Sequence, residues 1–446
     1  MSIFSQRSVW LVFAIIVIAG AFFRVTASIN TLVAYPLRAD AGDYFSYAYN
    51  LKHFGVYSRA QTYLENNKVP VPDALRPPGY PLMLWWFASE TPTGKTILNI
   101  TLFQALLGMG MVLMVFFLGR QFLPPGWALL PAALVAISPQ LILAGTYVLS
   151  ESLFSLLLLM AIGSVLFQYR FPERSVLALL SGVAIGLATL TRPTLQYFIL
   201  FLLPVMWTLL PAHMRWRHAL LTLLGFAVVF APWLVRNHWV LGASSDATLT
   251  INALVHGHYP NMMFENNPRS LGFPYRFDPE LASISSSVSA AVTGIFKRVM
   301  AAPGEYLQWY LLGKPLAFFS WKDPTSANSI FIYGAVFSPY YHSLPFIWTK
   351  DFMQLTHAVW VVLALLSMLL MGLFHAREEF SSNERVAFRL LVTTSAYFVA
   401  LHMVAFPLAR YCVPLLPVIF LLATWTLWRV SLLIKNNDAS GVVHES

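Results

Sequence analysis

Charge is what this 446-residue chain has least of: 11% of residues are charged, against 58% hydrophobic. Soluble domains carry nearer a quarter charged residues, so that deficit excludes an ordinary globular enzyme. Cysteine is almost missing as well. Cys412 stands alone, which excludes an internal disulfide and any cysteine-based metal site. There is no phosphate-cradling glycine-rich loop, no nucleotide-binding fingerprint and no visible internal repeat. What is present is apolar and aromatic, with 15% Phe, Trp and Tyr. The apolar residues come in blocks rather than in the alternation of a bacterial β-barrel, so the expected fold is an all-α polytopic membrane protein.

Ten stretches are long and apolar enough to cross a bilayer: 8–27, 97–119, 127–145, 150–169, 175–191, 193–211, 218–236, 352–374, 388–408 and 411–430. Val25-Thr26-Ala27 resembles a cleavage site, but the run before it is long for a signal peptide. With a cytoplasmic N-terminus, the short inner segments hold Arg7, Arg120, Arg170, Arg174, Arg215 and Arg217. Arg377, Arg385, Arg389, Arg429 and Lys435 follow on the same side. That asymmetry puts both termini in the cytoplasm and the loops 28–96 and 237–351 outside. The net charge of +9 then belongs to membrane topology rather than to nucleic acid binding. The organisation expected is a transmembrane module 1–236, a large outer loop 237–351, helices 352–434 and a tail 435–446. The aromatic stretch 303–350, with Tyr306, Trp309, Phe318, Trp321, Tyr340 and Trp348, predicts interfacial helices lying on the membrane, or one extra pair of spans.

Chemistry-bearing residues gather at the outer ends of these spans. In Arg38-Ala39-Asp40-Ala41-Gly42-Asp43-Tyr44 the spacing predicts a helix ending near Gly55, with Asp40 as its cap and Asp43 completing a carboxylate capping box. Asp73-Ala74-Leu75-Arg76-Pro77-Pro78-Gly79-Tyr80 is a stiff, non-helical approach to a span or half-span. Arg76, Arg192, Arg236 and Arg410 all sit beside prolines at outer ends. Helix anchoring explains each singly, while four together suggest a site for a phosphate. Glu151 opens another span, and one of these arginines is its natural partner. His256-Gly257-His258 has no metal-ligand spacing and reads as a solvated loop pair. Asp40 and Asp43 could share a divalent cation, Mg or Mn, but two carboxylates do not define a metal site, and no metal ligand is assigned.

Asp40 with Tyr44, Tyr47-Ala48-Tyr49-Asn50-Leu51 and His53-Phe54-Gly55-Val56-Tyr57-Ser58 resembles the first outer loop of GT-C superfamily membrane glycosyltransferases. These are relatives of dolichyl-phosphate-mannose–protein mannosyltransferases and of the lipid A aminoarabinose transferase, in glycosyltransferase families 39 and 83. Leu75-Arg76-Pro77-Pro78-Gly79-Tyr80-Pro81-Leu82 is similar to their Arg-Pro-Pro-Gly-Tyr-Pro stretch. Ser138-Pro139, Ser150-Glu151, Leu190-Thr191-Arg192-Pro193, Ala231-Pro232-Trp233-Leu234-Val235-Arg236-Asn237 and Ala409-Arg410-Tyr411 with Pro414-Leu415-Leu416-Pro417 extend the likeness. The family's Asp-Glu pair is here Asp40-Ala41, with Asp43 close by. The resemblance implies inverting transfer of a sugar from a polyprenyl-phosphate donor to an extracytoplasmic acceptor: lipid A, a glycolipid, a polysaccharide or a protein. It implies a bacterial inner membrane, Asp40 as base, Asp43 as orienting group and the four arginines on the donor phosphate. Tyr44, Tyr80 and Glu151 are further site candidates. A lipid-linked glycan flippase and a non-catalytic assembly subunit are the alternatives, and loop 237–351 is where acceptor choice is expected.

Overall fold

The computed structural model describes residues 5–65, 69–89, 91–327, 330–331, 333–374 and 380–441. It is an all-helical bundle with one small two-stranded sheet. Seven helices are long and apolar enough to span a membrane: Gln6–Asn30, Gly94–Gly119, Glu151–Arg170, Ala212–Leu241, Leu344–Leu370, Ser382–Val404 and Ala409–Ile434. In chain order the first part runs α1 (Gln6–Asn30), α2 (Asp40–Phe54), α3 (Gly79–Leu84), α4 (Gly94–Gly119), α5 (Leu129–Ile137) and α6 (Pro139–Ala144). It continues through α7 (Glu151–Arg170), α8 (Val176–Thr191), α9 (Phe198–Leu209), α10 (Arg215–Leu241) and α11 (Thr248–His258).

Three of the ten expected spans are therefore shorter than one helix across a bilayer. Segment 127–145 is two helices, because Ser138 is extended and Pro139 cannot continue the hydrogen-bond ladder. Stretches 175–191 and 193–211 form α8 and α9, of 16 and 12 residues, separated at Pro193. At 1.5 Å per residue neither α5 nor α9 reaches the ~30 Å of a hydrocarbon core. A break inside a bundle frees carbonyls that something must satisfy. Arg24 of α1 does this for α5: its guanidinium donates to the carbonyls of Val135 at 2.7 Å and Ala136 at 2.9 Å while 2% exposed. Gly108 on α4 makes the room, since a Cβ there would lie 2.5 Å from the Arg24 Nε.

Helix α8 packs between α7 and α10. Its crossing with α10 is a backbone-to-backbone contact: a Cβ on Gly182 would meet the Thr222 carbonyl oxygen at 2.0 Å, and one on Gly225 the Leu179 oxygen at 2.1 Å. The boundaries of the large loop also shift. Helix α10 continues to Leu241, and the next long helix starts at Leu344 rather than 352. Among the described residues the loop holds no extra pair of spans. Its aromatics divide: Tyr306, Trp309, Phe318 and Tyr340 are buried, whereas Trp348 is exposed. Half of that stretch thus packs onto the bundle instead of lying on a membrane surface, since the loop folds back and pairs with the first one. Strand β1 (Leu32–Val33) takes β2 (Ala335–Phe337) antiparallel, Leu32 opposite Phe337.

Because the α8–α10 crossing admits no side chain, Gly182→Leu should destabilise the protein by about 1–3 kcal/mol or prevent assembly. Gly94→Ala, where a Cβ meets nothing within 4 Å, should be near neutral. Thermal unfolding of the purified protein in detergent separates the two.

Candidate active site

The first loop positions its carboxylates differently from a capped helix. Ala39 occupies the N-cap with φ 52° and makes no side-chain cap bond, so Asp40 is the first helical residue and not the cap. Its oxygens are taken by stronger partners than backbone N–H groups: Oδ1 accepts from Arg76 at 2.7 Å and Oδ2 from Arg410 at 3.1 Å. Arg76 reaches Asp43 as well, at 3.3 Å. On the other side Arg410 donates through Nε to Glu151, which also holds Arg192 at 3.4 Å. The result is an alternating chain, Asp43–Arg76–Asp40–Arg410–Glu151–Arg192, of three carboxylates and three guanidiniums. Glu151 is fully buried, Arg410 is 7% exposed and Asp40 retains about a third of its side-chain exposure, 29%.

Local sequence explains how segments from four regions meet. Pro77 and Pro78 deliver Arg76 just ahead of α3, and Gly79 then lies against the end of α8, where a Cβ would be 2.7 Å from Leu190 and Thr191 backbone. That contact sets the Arg76 segment beside the turn carrying Arg192. Tyr44 and Tyr80 meet edge to face at 5.0 Å. Tyr44 hydrogen-bonds Ser150 at 3.4 Å, next to Glu151, and its ring lies under the Arg76 guanidinium at 5.5 Å. Tyr80 donates to Gln104, whose amide in turn donates to the carbonyls of Gly145 and Tyr147. Both tyrosines thus hold the network in register, and Gln104 is a partner the sequence did not single out.

Arg410 sits just after a turn that the large loop clamps. Lys314, with no exposure, donates to the carbonyls of Met403, Val404 and Ala405 at 2.7, 3.3 and 2.9 Å, closing the end of the helix Ser382–Val404. Burial pushes its ammonium down to about 7. Gly257 lies on the Ala405 carbonyl, and Trp309 donates to the Gly257 carbonyl at 3.0 Å. No spacing in the sequence marks Lys314 as a cap for a helix about 90 residues away. Arg236 is not drawn into the network. It lies within α10, donates to the Asp73 and Tyr57 carbonyls and stacks on Tyr57 and Trp233.

The histidine pair is also placed differently from a solvated loop. His256 and His258 end α11; His256 stacks on Tyr275 at 3.7 Å and His258 is buried beside Arg298. Burial pushes both down to about 4. A resident divalent cation fits poorly at Asp40 and Asp43, since both Asp40 oxygens already face guanidiniums and Asp43 shares Arg76. Among the described residues no three His, Cys, Asp or Glu stand together as a metal-binding group.

The two aspartates are driven apart in acidity. Burial pushes Asp40 up, but Arg410 and Arg76 outweigh it and hold its carboxyl below the usual range. At Asp43 burial prevails over Arg76, and the Asp40 charge adds to it, so its carboxyl is raised. The signs therefore oppose. Asp40 contributes stability above its unfolded value near ~3.9, lost as pH falls through its folded value. Asp43 contributes stability at acid pH, lost as pH rises through its folded value. At pH 7 Asp40→Asn should cost about 1–3 kcal/mol by leaving two guanidiniums underpaired, while Asp43→Asn should leave the melting temperature equal or raise it. Parallel thermal melts at pH 7 check the contrast.

Residues 75–235 match the family model described as dolichyl-phosphate-mannose-protein mannosyltransferase. No curated protein sequence matches at a significant level. Among solved structures the chain resembles the oligosaccharyltransferase AglB of Archaeoglobus fulgidus in complex with an inhibitory peptide and a dolichol-phosphate. The TM-score is 0.53 at 14% identity, covering 98% of this chain and 52% of that one. The same archaeal enzyme tethered to an acceptor peptide gives 0.53 at 16% identity, over 96% and 50% of the two chains. ArnT from Cupriavidus metallidurans bound to undecaprenyl phosphate gives 0.48 at 12%, over 96% and 61%. The chain spans about half the length of the archaeal structures. The segment carrying Arg76, Glu151 and Arg192 thus matches the dolichyl-phosphate-mannose-protein mannosyltransferase family model, and the chain shares its fold with the archaeal oligosaccharyltransferase AglB.

Proposed function

We propose that this protein is a membrane glycosyltransferase that moves a sugar from a polyprenyl-phosphate donor to a hydroxyl-bearing acceptor on the extracytoplasmic face, with inversion. The observation that carries the reading is the alternating chain of three guanidiniums and three carboxylates at the helix ends. The dolichol-phosphate held by an archaeal enzyme of similar fold supports a lipid phosphate as ligand. In this reading the polyprenyl tail lies between spans and its phosphate engages Arg76, Arg192 and Arg410. Arg236 steadies the Tyr57 and Asp73 backbone instead. The basic residues of the short loops support cytoplasmic termini in a bacterial inner membrane.

The chemistry is one displacement. The acceptor oxygen bonds to the anomeric carbon, the bond from that carbon to the phosphate oxygen breaks, and the hydroxyl proton passes to Asp40. The leaving phosphate keeps the electron pair and is stabilised by the guanidiniums, which carries much of the rate. Asp43 orients the acceptor or Asp40. While its arginines are occupied by carboxylates the site is charge-balanced and Asp40 is a weak base. A donor phosphate competes for Arg76 and Arg410, so its arrival releases an Asp40 oxygen and restores basicity toward the ordinary carboxylate value.

Two outcomes follow. In cells carrying Asp40→Asn at matched protein level, one surface sugar should disappear as it does on gene deletion, with its polyprenyl-phosphate donor accumulating. Purified enzyme should lose about 10²–10⁴-fold in turnover. Normal glycans in that variant, by mass spectrometry, would remove Asp40 from the mechanism. The acid limb of kcat should also lie at higher pH than that of kcat/KM, because kcat reports the donor-bound state and kcat/KM the free enzyme. Coincident limbs in pH-rate profiles would mean that the donor does not free Asp40.

A further inference from the structure

A shallow, half-open cleft adjoins the charged chain on the Asp40 side, lined among others by Tyr35, Arg38, Asp40, Tyr147, Tyr333 and Arg410. Four separate segments build it. The first loop brings Tyr35, Arg38 and Asp40, the turn before α7 brings Tyr147, the far end of the large loop brings Phe331 and Tyr333, and the start of the last span brings Arg410. The pairing of β1 with β2 ties the two loops together, and Tyr341 secures the incoming segment by donating to the carbonyls of Ala335 at 2.8 Å and Thr325 at 3.2 Å. Tyr147 stacks on Phe331 at 4.1 Å and donates to the Tyr333 carbonyl at 2.9 Å. The wall is therefore fixed, while Tyr35, 73% exposed, and half-buried Tyr333 stay partly accessible beside Arg38.

Arg38 is unlike the arginines of the network. Its guanidinium lies 4.8 Å from the Tyr333 ring centre and 5.8 Å from that of Tyr35. Among the described residues it has neither a carboxylate partner nor a hydrogen bond. The neighbouring charges, Asp40 and Arg410, neutralise each other. A guanidinium held beside two rings with no carboxylate or hydrogen-bond partner has its donors free for a forked bond to an anion. Tyr35 and Ala39, on either side of it, both adopt φ 52°, a left-handed conformation that the fold must hold in place.

We propose that this cleft is the acceptor subsite and takes a sugar ring bearing a negatively charged group, the ring against Tyr35 and Tyr333 and the anion on Arg38. This rests on the glycosyltransferase reading above. The side assignment follows from the network: the cleft meets it at Asp40 and Arg410, whereas Arg76 and Arg192 do not line the cleft, which leaves those two for the donor phosphate. The anion is a carboxylate or a phosphate, since either matches the fork.

Saturation-transfer NMR on the full chain in lipid nanodiscs tests this without requiring turnover. The probes are methyl β-glucoside, methyl β-glucuronide and methyl β-glucoside 6-phosphate. The wild type should favour at least one anionic probe over the neutral one by about tenfold, and whichever is favoured names the source of the charge. Arg38→Gln should bring the anionic probes down to the neutral level, Arg38→Lys should restore part of the preference, and Tyr333→Ala should weaken all three. Equal binding of neutral and anionic probes, no binding of any, or an Arg38→Gln variant that keeps the preference overturns the proposal. Should gene deletion still remove a surface sugar in that case, the glycosyltransferase reading stands and only the subsite fails. Anion-selective binding with unchanged glycans on deletion would instead sink the enzyme reading and with it the acceptor role of the cleft, leaving only an anionic-sugar site.

Discussion

Charge removed from water inside a helical bundle must be met by opposite charge, and the arrangement around Arg410 is a consequence of that single requirement. Arg410 is 7% exposed and Glu151 not at all, so neither is tolerable without the other. Once they are joined, Asp40 and Arg192 are drawn to the same place, and Arg76 and Asp43 follow. Residues more than 250 positions apart in the chain are held within hydrogen-bonding distance as a result. The pairing lowers the basicity of Asp40 and occupies all three guanidiniums. In the proposed function a donor phosphate competes for those guanidiniums, so the balanced network is the state without donor.

The same logic governs the broken helices. Pro139 interrupts what hydropathy reads as one continuous span, Pro193 separates two short helices, and the last helix begins only after the Phe406-Pro407 break. Each interruption exposes carbonyls where little water is expected. Arg24 satisfies those at the end of α5, and Lys314 those at the end of the helix leading to Arg410. Lys314 comes from the large loop, so that loop is bolted to the turn that aims an arginine into the network. It also supplies Phe331 and Tyr333 beside Asp40. An element that looks peripheral in the sequence is thus part of the site's frame.

Much of the charged network could be read in advance, and the reasons are local. Arg76, Arg192 and Arg410 stand beside prolines at apolar-block ends, and Glu151 opens a block where an acid needs a partner. Arg236 carries the same local signature and yet faces Tyr57 and Trp233, because a residue inside a helix points where the helix phase puts it. Asp40 read as a helix cap, and capping preferences could not reveal that two arginines would claim its oxygens. Gln104 and Lys314 gave no signal, since their partners are distant in the chain.

Composition and the blocks of apolar residues determined on their own that the chain is helical and membrane-spanning, because one-dimensional hydrophobic length maps directly onto bilayer thickness. They also placed Arg76, Glu151 and Arg192 at helix ends, though not Arg236, which lies within α10. The tertiary structure decided which of them meet, which carboxylate is made more acidic and which less, and which loop forms the wall beside Asp40. Those outcomes depend on pairwise distance and burial, and neither is encoded in any single segment of the chain.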